Sequence, residues 1–224
     1  AKAKADGAQW HFVEGRRLYH LAFLSDAYTH LRKTLEYEHD RRDAEELMHR
    51  VMEGMERARK LRVEAFDLSR RGEWNDAIAR MREAIELYRT FPGGEKDLDT
   101  LHRGAARWHV ARARDLLAAE QWDAAEAEAQ AALACVKDDA DASAVIADVR
   151  NRRQAGRLVS RAQALRQSGR HEEALEKLLE AERLHPGRAD LPPRIHAAKG
   201  DVCTDLIASA VDALQNKDFA GALV

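Results

Sequence analysis

The histidines and carboxylates of this sequence have spacings that predict neither a metal site nor a catalytic site. Five of the ten histidines follow one another at intervals of 9 or 10 residues, which distributes them around a helix: His11, His20, His30, His39 and His49. Two metal ligands on one helix need a spacing of three or four residues. His39 and Asp43 have that spacing, but so do other pairs in a chain with 34% charged residues. We therefore expect no metal, no cofactor and no catalytic residue.

Short catalytic and targeting motifs are also missing from the sequence. The run Gly93-Gly94-Glu95-Lys96 lacks the spacing and the hydroxyl residue of a phosphate-binding loop. Cys135 and Cys203 are far apart, which favours two reduced thiols in a cytoplasmic protein over a disulfide. No apolar run approaches the ~20 residues of a membrane span, and no signal peptide begins the chain. We expect a cytoplasmic protein that is not an enzyme.

Arginine is the residue type whose spacing suggests binding. Arg150, Arg153, Arg157 and Arg161 are separated by three or four residues and form a stripe on one helix face. Guanidinium groups bind carboxylates and phosphates through paired hydrogen bonds. The net charge of −2 indicates no general affinity for nucleic acid, and few aromatic residues interrupt the stripe. An acidic protein segment is therefore the favoured ligand, and RNA is the alternative.

The elements that carry these residues are predicted to be helices. The chain is rich in helix-forming residues and has only four prolines. Apolar residues between Leu21 and Leu35 step by three and four, which predicts a helix over residues 9–38, and a second helix follows over 43–71. Together they form a helical hairpin. It either caps the rest of the fold or serves as a coiled-coil arm.

Three columns of residues recur every 48 or 49 positions, which predicts repeated helix–turn–helix units. The first column consists of small residues in the first helix, and the second consists of bulky residues after the turn. The third consists of alanines three positions after the bulky residues. The first column is Ala65, Ala113, Ala162 and Ala210, the second is Trp74, Trp122, His171 and Phe219, and the third is Ala77, Ala125, Ala174 and Ala222. These residues are predicted to form the core between paired helices.

This pattern resembles the tetratricopeptide repeat (TPR) family, with turn glycines at Gly72 and Gly169 and a closing proline at Pro186. Glu120 and Lys217 depart from the turn glycine, and the period exceeds the 34 residues of the family. The resemblance implies an all-α fold, a right-handed α-solenoid of TPR-like repeats with elongated A helices after the N-terminal hairpin. We expect an N-terminal segment, 1–57, and a repeat domain, 58–224, with repeats at about 58–92, 96–136, 142–186 and 192–224, the last incomplete.

The added length falls in the A helices, each of which contains an interior glycine: Gly54, Gly104, Gly156 and Gly200. These glycines indicate either close helix packing with a mild kink or a break that divides each A helix in two. The chain begins with Ala1 and stops two residues after Ala222. This leads us to expect a part of a longer polypeptide.

The family resemblance also implies a ligand groove lined by the A helices. Arginines at groove positions are Arg59, Arg62, Arg70, Arg107, Arg114 and Arg166, whereas the B helices are rich in acidic residues. This arrangement favours a non-catalytic protein–protein interaction or scaffold module, a regulatory part of a larger polypeptide that binds an acidic or amphipathic protein segment. The alternatives are an RNA-binding solenoid or a structural spacer for oligomerisation. The arginines could instead pair with acids on neighbouring helices.

Overall fold

The computed structural model describes residues 2–215, and this part of the chain contains nine helices and no strand. The predicted all-α class is therefore confirmed for these residues. The helices are α1 (Lys2–His20), α2 (Leu24–Tyr37), α3 (Arg42–Arg70), α4 (Trp74–Leu87), α5 (Gly94–Ala118), α6 (Trp122–Cys135), α7 (Ala140–Gln167), α8 (His171–Leu184) and α9 (Leu191–Gln215).

The same three-residue turn joins a longer helix to a shorter one four times. The N–H group of the last turn residue donates to the carbonyl five residues earlier, at 2.9–3.0 Å: Phe23 to Leu18, Glu73 to Leu68, Gln121 to Leu116 and Arg170 to Leu165. The residue before it has a positive φ in each turn: Ala22 (62°), Gly72 (82°), Glu120 (59°) and Gly169 (76°). This left-handed residue ends the first helix and satisfies its last carbonyl groups.

Each of these turns leads into a helix of 14 residues, α2, α4, α6 or α8. The fourth and eleventh residues of all four helices have no solvent exposure: Ala27 and Thr34, Ala77 and Ala84, Ala125 and Ala132, Ala174 and Ala181. Small side chains at these positions let the neighbouring helix approach closely. The one buried hydroxyl among them, that of Thr34, donates to the His30 carbonyl at 3.1 Å.

The N-terminal region differs from the expected single helix over 9–38, because a turn at residues 21–23 divides it into α1 and α2. These two helices pack against each other and form the first of the four pairs. The positions of the missed pair have the spacing of the first predicted repeat: Gly15, Leu18, Ala22, Leu24 and Ala27 stand where Ala65, Leu68, Gly72, Trp74 and Ala77 stand 50 residues later. The pair was missed because neither the glycine nor the aromatic residue marks its turn.

The connections between successive pairs alternate in length. Residues 38–41 and 136–139 form short connections, whereas 88–93 and 185–190 form longer ones. As a result, α4 has a counterpart of equal length 97 positions later in α8, and α5 and α9 begin 97 positions apart. This correspondence allows position-by-position comparison of the two parts of the chain.

The long helices continue through their interior glycines, so these glycines do not divide them. Two of the four are sites of close packing. A Cβ atom at Gly104 would lie 2.6 Å from Cζ3 of Trp74, and one at Gly54 would lie 3.0 Å from Cδ1 of Leu24. At Gly200 no atom of the described residues lies within 4 Å of that position. In both close contacts the neighbouring atom belongs to the bulky residue that follows a turn, Trp74 or Leu24.

Two compact units make up the described chain. Residues 2–114 with 127–142 form the first unit, and 115–126 with 143–215 form the second. Cores around Leu31 and Met81 lie in the first unit, and a core around Leu178 lies in the second. The expected boundary between residues 57 and 58 falls within α3.

Candidate functional site

The columns of small and bulky residues occupy equivalent local positions in the described chain. Six alanines of these columns have no solvent exposure: Ala65, Ala77, Ala113, Ala125, Ala162 and Ala174. Trp74, Trp122 and His171 are each the partly buried first residue of a 14-residue helix. Ala210 is partly buried in α9, and Phe219 and Ala222 lie outside the described residues.

Five of the six predicted groove arginines form ion pairs with carboxylates of the protein itself. Three of these pairs join one long helix to the next: Arg62 to Asp97 (2.8 Å), Arg114 to Asp141 (2.5 Å) and Arg166 to Asp201 (2.6 Å). Two lie within α3: Arg59 to Glu56 (3.5 Å) and Arg70 to Asp67 (2.6 Å). Arg107 is exposed and has no ion pair among the described residues. The geometry thus places three of these six arginines in ion pairs with a neighbouring helix and two in ion pairs within their own helix.

The middle of α7 presents arginines that have no such partners. Between Val149 and Gln167 there are six arginines and no acidic residue. Arg150, Arg157 and Arg161 are exposed and form no ion pair within the described part of the chain. They lie within about 40° of one another around the helix axis and span about 16 Å. We call these three residues the arginine row.

The remaining member of the predicted stripe has a different role. Arg153 binds Asp123 and, at 2.6 Å, Glu126, both of α6. These two carboxylates raise the pKa of the Arg153 guanidinium. Arg153 therefore joins α7 to α6, and the arginine row consists of the three residues that remain available to a ligand.

A second surface lies on α3 in the first unit. Met52 and Val63 are 48% and 61% exposed, which is high for such side chains. Met52 lines a depression of about 840 Å³ together with Met55 and Tyr28. Three cationic side chains and two glutamates surround it, so this surface combines apolar contact with a small net positive charge. Flexible methionines adapt to apolar side chains of different shapes.

Histidine–carboxylate pairs occur in both units. His109 Nδ1 lies 2.7 Å from Glu128, which also binds Arg112 at 2.9 Å. His171 Nδ1 lies 2.6 Å from Asp205. The described hydrogen bonds of both histidines go to carboxylates, and no hydroxyl or thiol nucleophile joins them. Within residues 2–215 no three histidine, cysteine or acidic side chains are placed to hold a metal ion.

Two partly buried histidines make the stability of the fold depend on pH. Burial, together with nearby Arg82, lowers the pKa of His102 below its usual value of 6.5. Burial and the guanidinium groups of Arg152 and Arg188 lower the pKa of His185 in the same way. The Nδ1 atoms of both rings are buried without a hydrogen-bond partner. A proton added at Nδ1 would therefore have no acceptor to stabilise it.

We predict that the melting temperature falls as the pH is lowered from 7.5 to 5.5. Because both pKa values are lower in the folded state, the unfolded chain binds more protons below pH ~6.5 and is favoured there. Thermal unfolding followed by circular dichroism at several pH values measures the effect. His102→Gln should reduce the fall, whereas His39→Gln, at an exposed ring, should leave it unchanged. A melting temperature that rises on acidification would contradict this prediction.

No protein-family model matches this sequence, and no curated protein matches it. None of the helices in residues 2–215 has both the length and the apolar character needed to cross a membrane. The function must therefore be argued from the geometry of the chain itself.

Proposed function

We propose that this chain is a non-catalytic protein-interaction module that binds an acidic, amphipathic protein segment through the arginine row of α7. The segment belongs either to another cytoplasmic protein or to a different region of the same polypeptide. The module is a right-handed solenoid of TPR-like helix pairs with elongated first helices. It acts as a scaffold or a regulatory part of a larger protein.

Local regularity supports the solenoid part of this proposal. The four turns share one hydrogen-bond pattern and one left-handed position, and the four following helices have the same length. A helix pair that repeats in this way cannot cover its own apolar face and is stabilised by stacking on its neighbours. Stacked pairs of this kind present long surfaces for extended ligands.

The observation that carries the binding proposal is that the arginine row has no carboxylate partner among residues 2–215. Arginines elsewhere in the predicted groove are mostly paired, so an unpaired group of three is a local excess of positive charge. Such a charge attracts an acidic ligand and increases its rate of association. The row occupies the face of α7 opposite the buried Val159 and Ala162, and binding there would not disturb the core.

The spacing of the row favours a helical protein segment over RNA. Arg150, Arg157 and Arg161 are seven and four residues apart. Carboxylates with the same spacing on a second helix would therefore meet them in register. Small or uncharged side chains, Ala147, Gln154 and Ala164, separate the arginines along this face and allow close approach. No aromatic residue occurs between 140 and 167 to stack on a base.

Binding of a designed peptide tests this proposal. We predict that a fluorescent helical peptide with glutamates at positions 1, 5, 8 and 12 binds the protein, as measured by fluorescence anisotropy. The triple variant Arg150→Glu, Arg157→Glu and Arg161→Glu should bind it at least about tenfold more weakly, a loss of ~1.4 kcal/mol. Melting temperatures should change little, since these side chains are exposed and unpaired.

The matched control is the double variant Arg59→Glu and Arg107→Glu, which reverses exposed groove arginines. Peptide binding by this variant should equal that of the unaltered protein. Loss of binding here with retention in the triple variant would assign the ligand to the predicted groove instead. Salt-sensitive binding of polyuridylate that depends on the arginine row would support the RNA alternative and overturn the peptide proposal.

A further inference from the structure

A polar cavity of about 450 Å³ lies in the second unit, among α7, α8 and α9. Val159, Ala162 and Leu178 form its apolar part. Charged and polar side chains complete the lining: Gln163, Arg166, Gln167, His171, Arg194 and Asp201. The cavity is large enough for a small organic molecule.

Comparison with positions 97 residues earlier shows why this space is open. Gln163 and His171 correspond to Phe66 and Trp74 of the first unit. Both aromatic rings pack into the core of that unit around Met81. The buried cluster of the second unit, around Leu178, contains no aromatic side chain among its described members. Two large rings have thus been replaced by smaller polar side chains, and volume is left beside the apolar core.

The same comparison shows an unbalanced positive charge at the cavity. In the first unit Arg62 and Asp97 form an ion pair at 2.8 Å. The corresponding residues of the second unit are Val159 and Arg194, so no cation–anion pair forms there.

Within the described part of the second unit, the carboxylate that binds Arg194 is shared with another arginine. Its Nε lies 3.1 Å from Asp190, and Asp190 also binds Arg188 at 2.6 Å. Two guanidinium groups therefore share one carboxylate, and this group carries a net positive charge. Arg166 and Asp201, by contrast, neutralise each other at 2.6 Å. An anion would be attracted to Arg194.

We propose that this cavity binds a molecule with a planar aromatic ring and a carboxylate. The ring packs at the accessible edge of Val159 and on the aliphatic parts of Gln163 and Arg194, above Ala162 and Leu178, which are almost fully covered. The carboxylate binds the guanidinium of Arg194, and the amides of Gln163 and Gln167 donate hydrogen bonds at the rim. This site does not depend on the arginine row, whose residues do not line the cavity.

Two sources can supply this ligand chemistry, a free aromatic carboxylic acid and the C-terminal aromatic residue of a peptide. Phenylacetate and indole-3-acetate represent the first source, and N-acetyl-glycyl-phenylalanine with a free carboxylate represents the second. The corresponding amides retain the ring and lack the charge. We expect saturable binding of the acids by isothermal titration calorimetry, and at least about tenfold weaker binding of the amides. Binding of the peptide alone would assign the site to a protein C-terminus.

Variants of the lining residues locate the binding. Gln163→Phe restores the ring of the first unit and should fill the cavity, so binding of the acids should be lost. Arg194→Gln should weaken the acids at least about tenfold and leave the amides unchanged. Arg183→Gln, at an exposed position of α8 outside the cavity, is the matched control and should bind like the unaltered protein.

The double variant His171→Trp with Asp201→Gly transfers the Trp74–Gly104 pair of the first unit and provides a second way to fill the site, should Gln163→Phe fail to fold. Retained binding in a folded, filled variant would overturn the proposal. So would the absence of saturable binding of every acid to the unaltered protein, or equal binding of acids and amides.

Discussion

Trp74→Ala is expected to lower the free energy of unfolding by about 3–5 kcal/mol. The indole ring packs with Ala65, Ala77 and Met81 in the core of the first unit, and its outer edge lies on the backbone of Gly104. Removal of the ring leaves a void that α4 and α5 can close only in part. Urea unfolding followed by circular dichroism measures the change.

One feature of the ring offsets part of this loss. The Nε1 atom of Trp74 is buried and has no hydrogen-bond partner, so the folded state already includes an unsatisfied donor. His171→Ala is the matched control, because His171 occupies the corresponding position beside an open cavity. Its cost should be smaller, about 1 kcal/mol. A loss near zero for Trp74→Ala would show that the pairing of α4 with its neighbours is not as described.

Gly104→Ala should destabilise the protein by about 1–3 kcal/mol, although alanine is the better helix former. The added Cβ would lie 2.6 Å and 2.7 Å from Cζ3 and Cη2 of Trp74. Because the indole is rigid and partly buried, either the ring or α5 must move. Thermal and urea unfolding of the variant measure the cost.

Gly200→Ala in α9 has the opposite expectation, although the residue that corresponds to Gly104 is Asp201 and not Gly200. No atom of residues 2–215 lies within 4 Å of the added Cβ, so the substitution should stabilise the helix by about 0.5–1 kcal/mol. Combining Gly104→Ala with Trp74→Ala should cost less than the sum of the two single changes, because the clash disappears with the ring. Equal effects of Gly104→Ala and Gly200→Ala would rule out the proposed contact.

The sequence predicted the helical class because apolar residues at steps of three and four leave few alternatives. It could not show the turn between α1 and α2. There the left-handed residue is Ala22, and the bulky residue after the turn is Leu24. Packing of α1 on α2 imposes the turn without the residues that usually mark one. Glu120 also adopts a positive φ although it is not glycine, but it lies in a turn that the sequence did predict.

The roles of the arginines could not be read from the sequence either. Arg150, Arg153 and Arg157 look equivalent in a helical stripe. Arg153 binds two carboxylates of α6, whereas the other two bind no carboxylate of the part of the chain that the structure describes. Because an arginine side chain is long, its guanidinium can reach carboxylates of residues that are distant in the sequence. Which acids those are depends on how neighbouring helices pack.

Local pattern alone therefore determined that this protein is helical, because the spacing of apolar and small residues is a property of each helix by itself. The tertiary structure decided which charges remain available and where volume is left open. Both are properties of several helices together: the ion pair of Arg62 with Asp97 joins α3 to α5, and the cavity of the second unit lies among α7, α8 and α9.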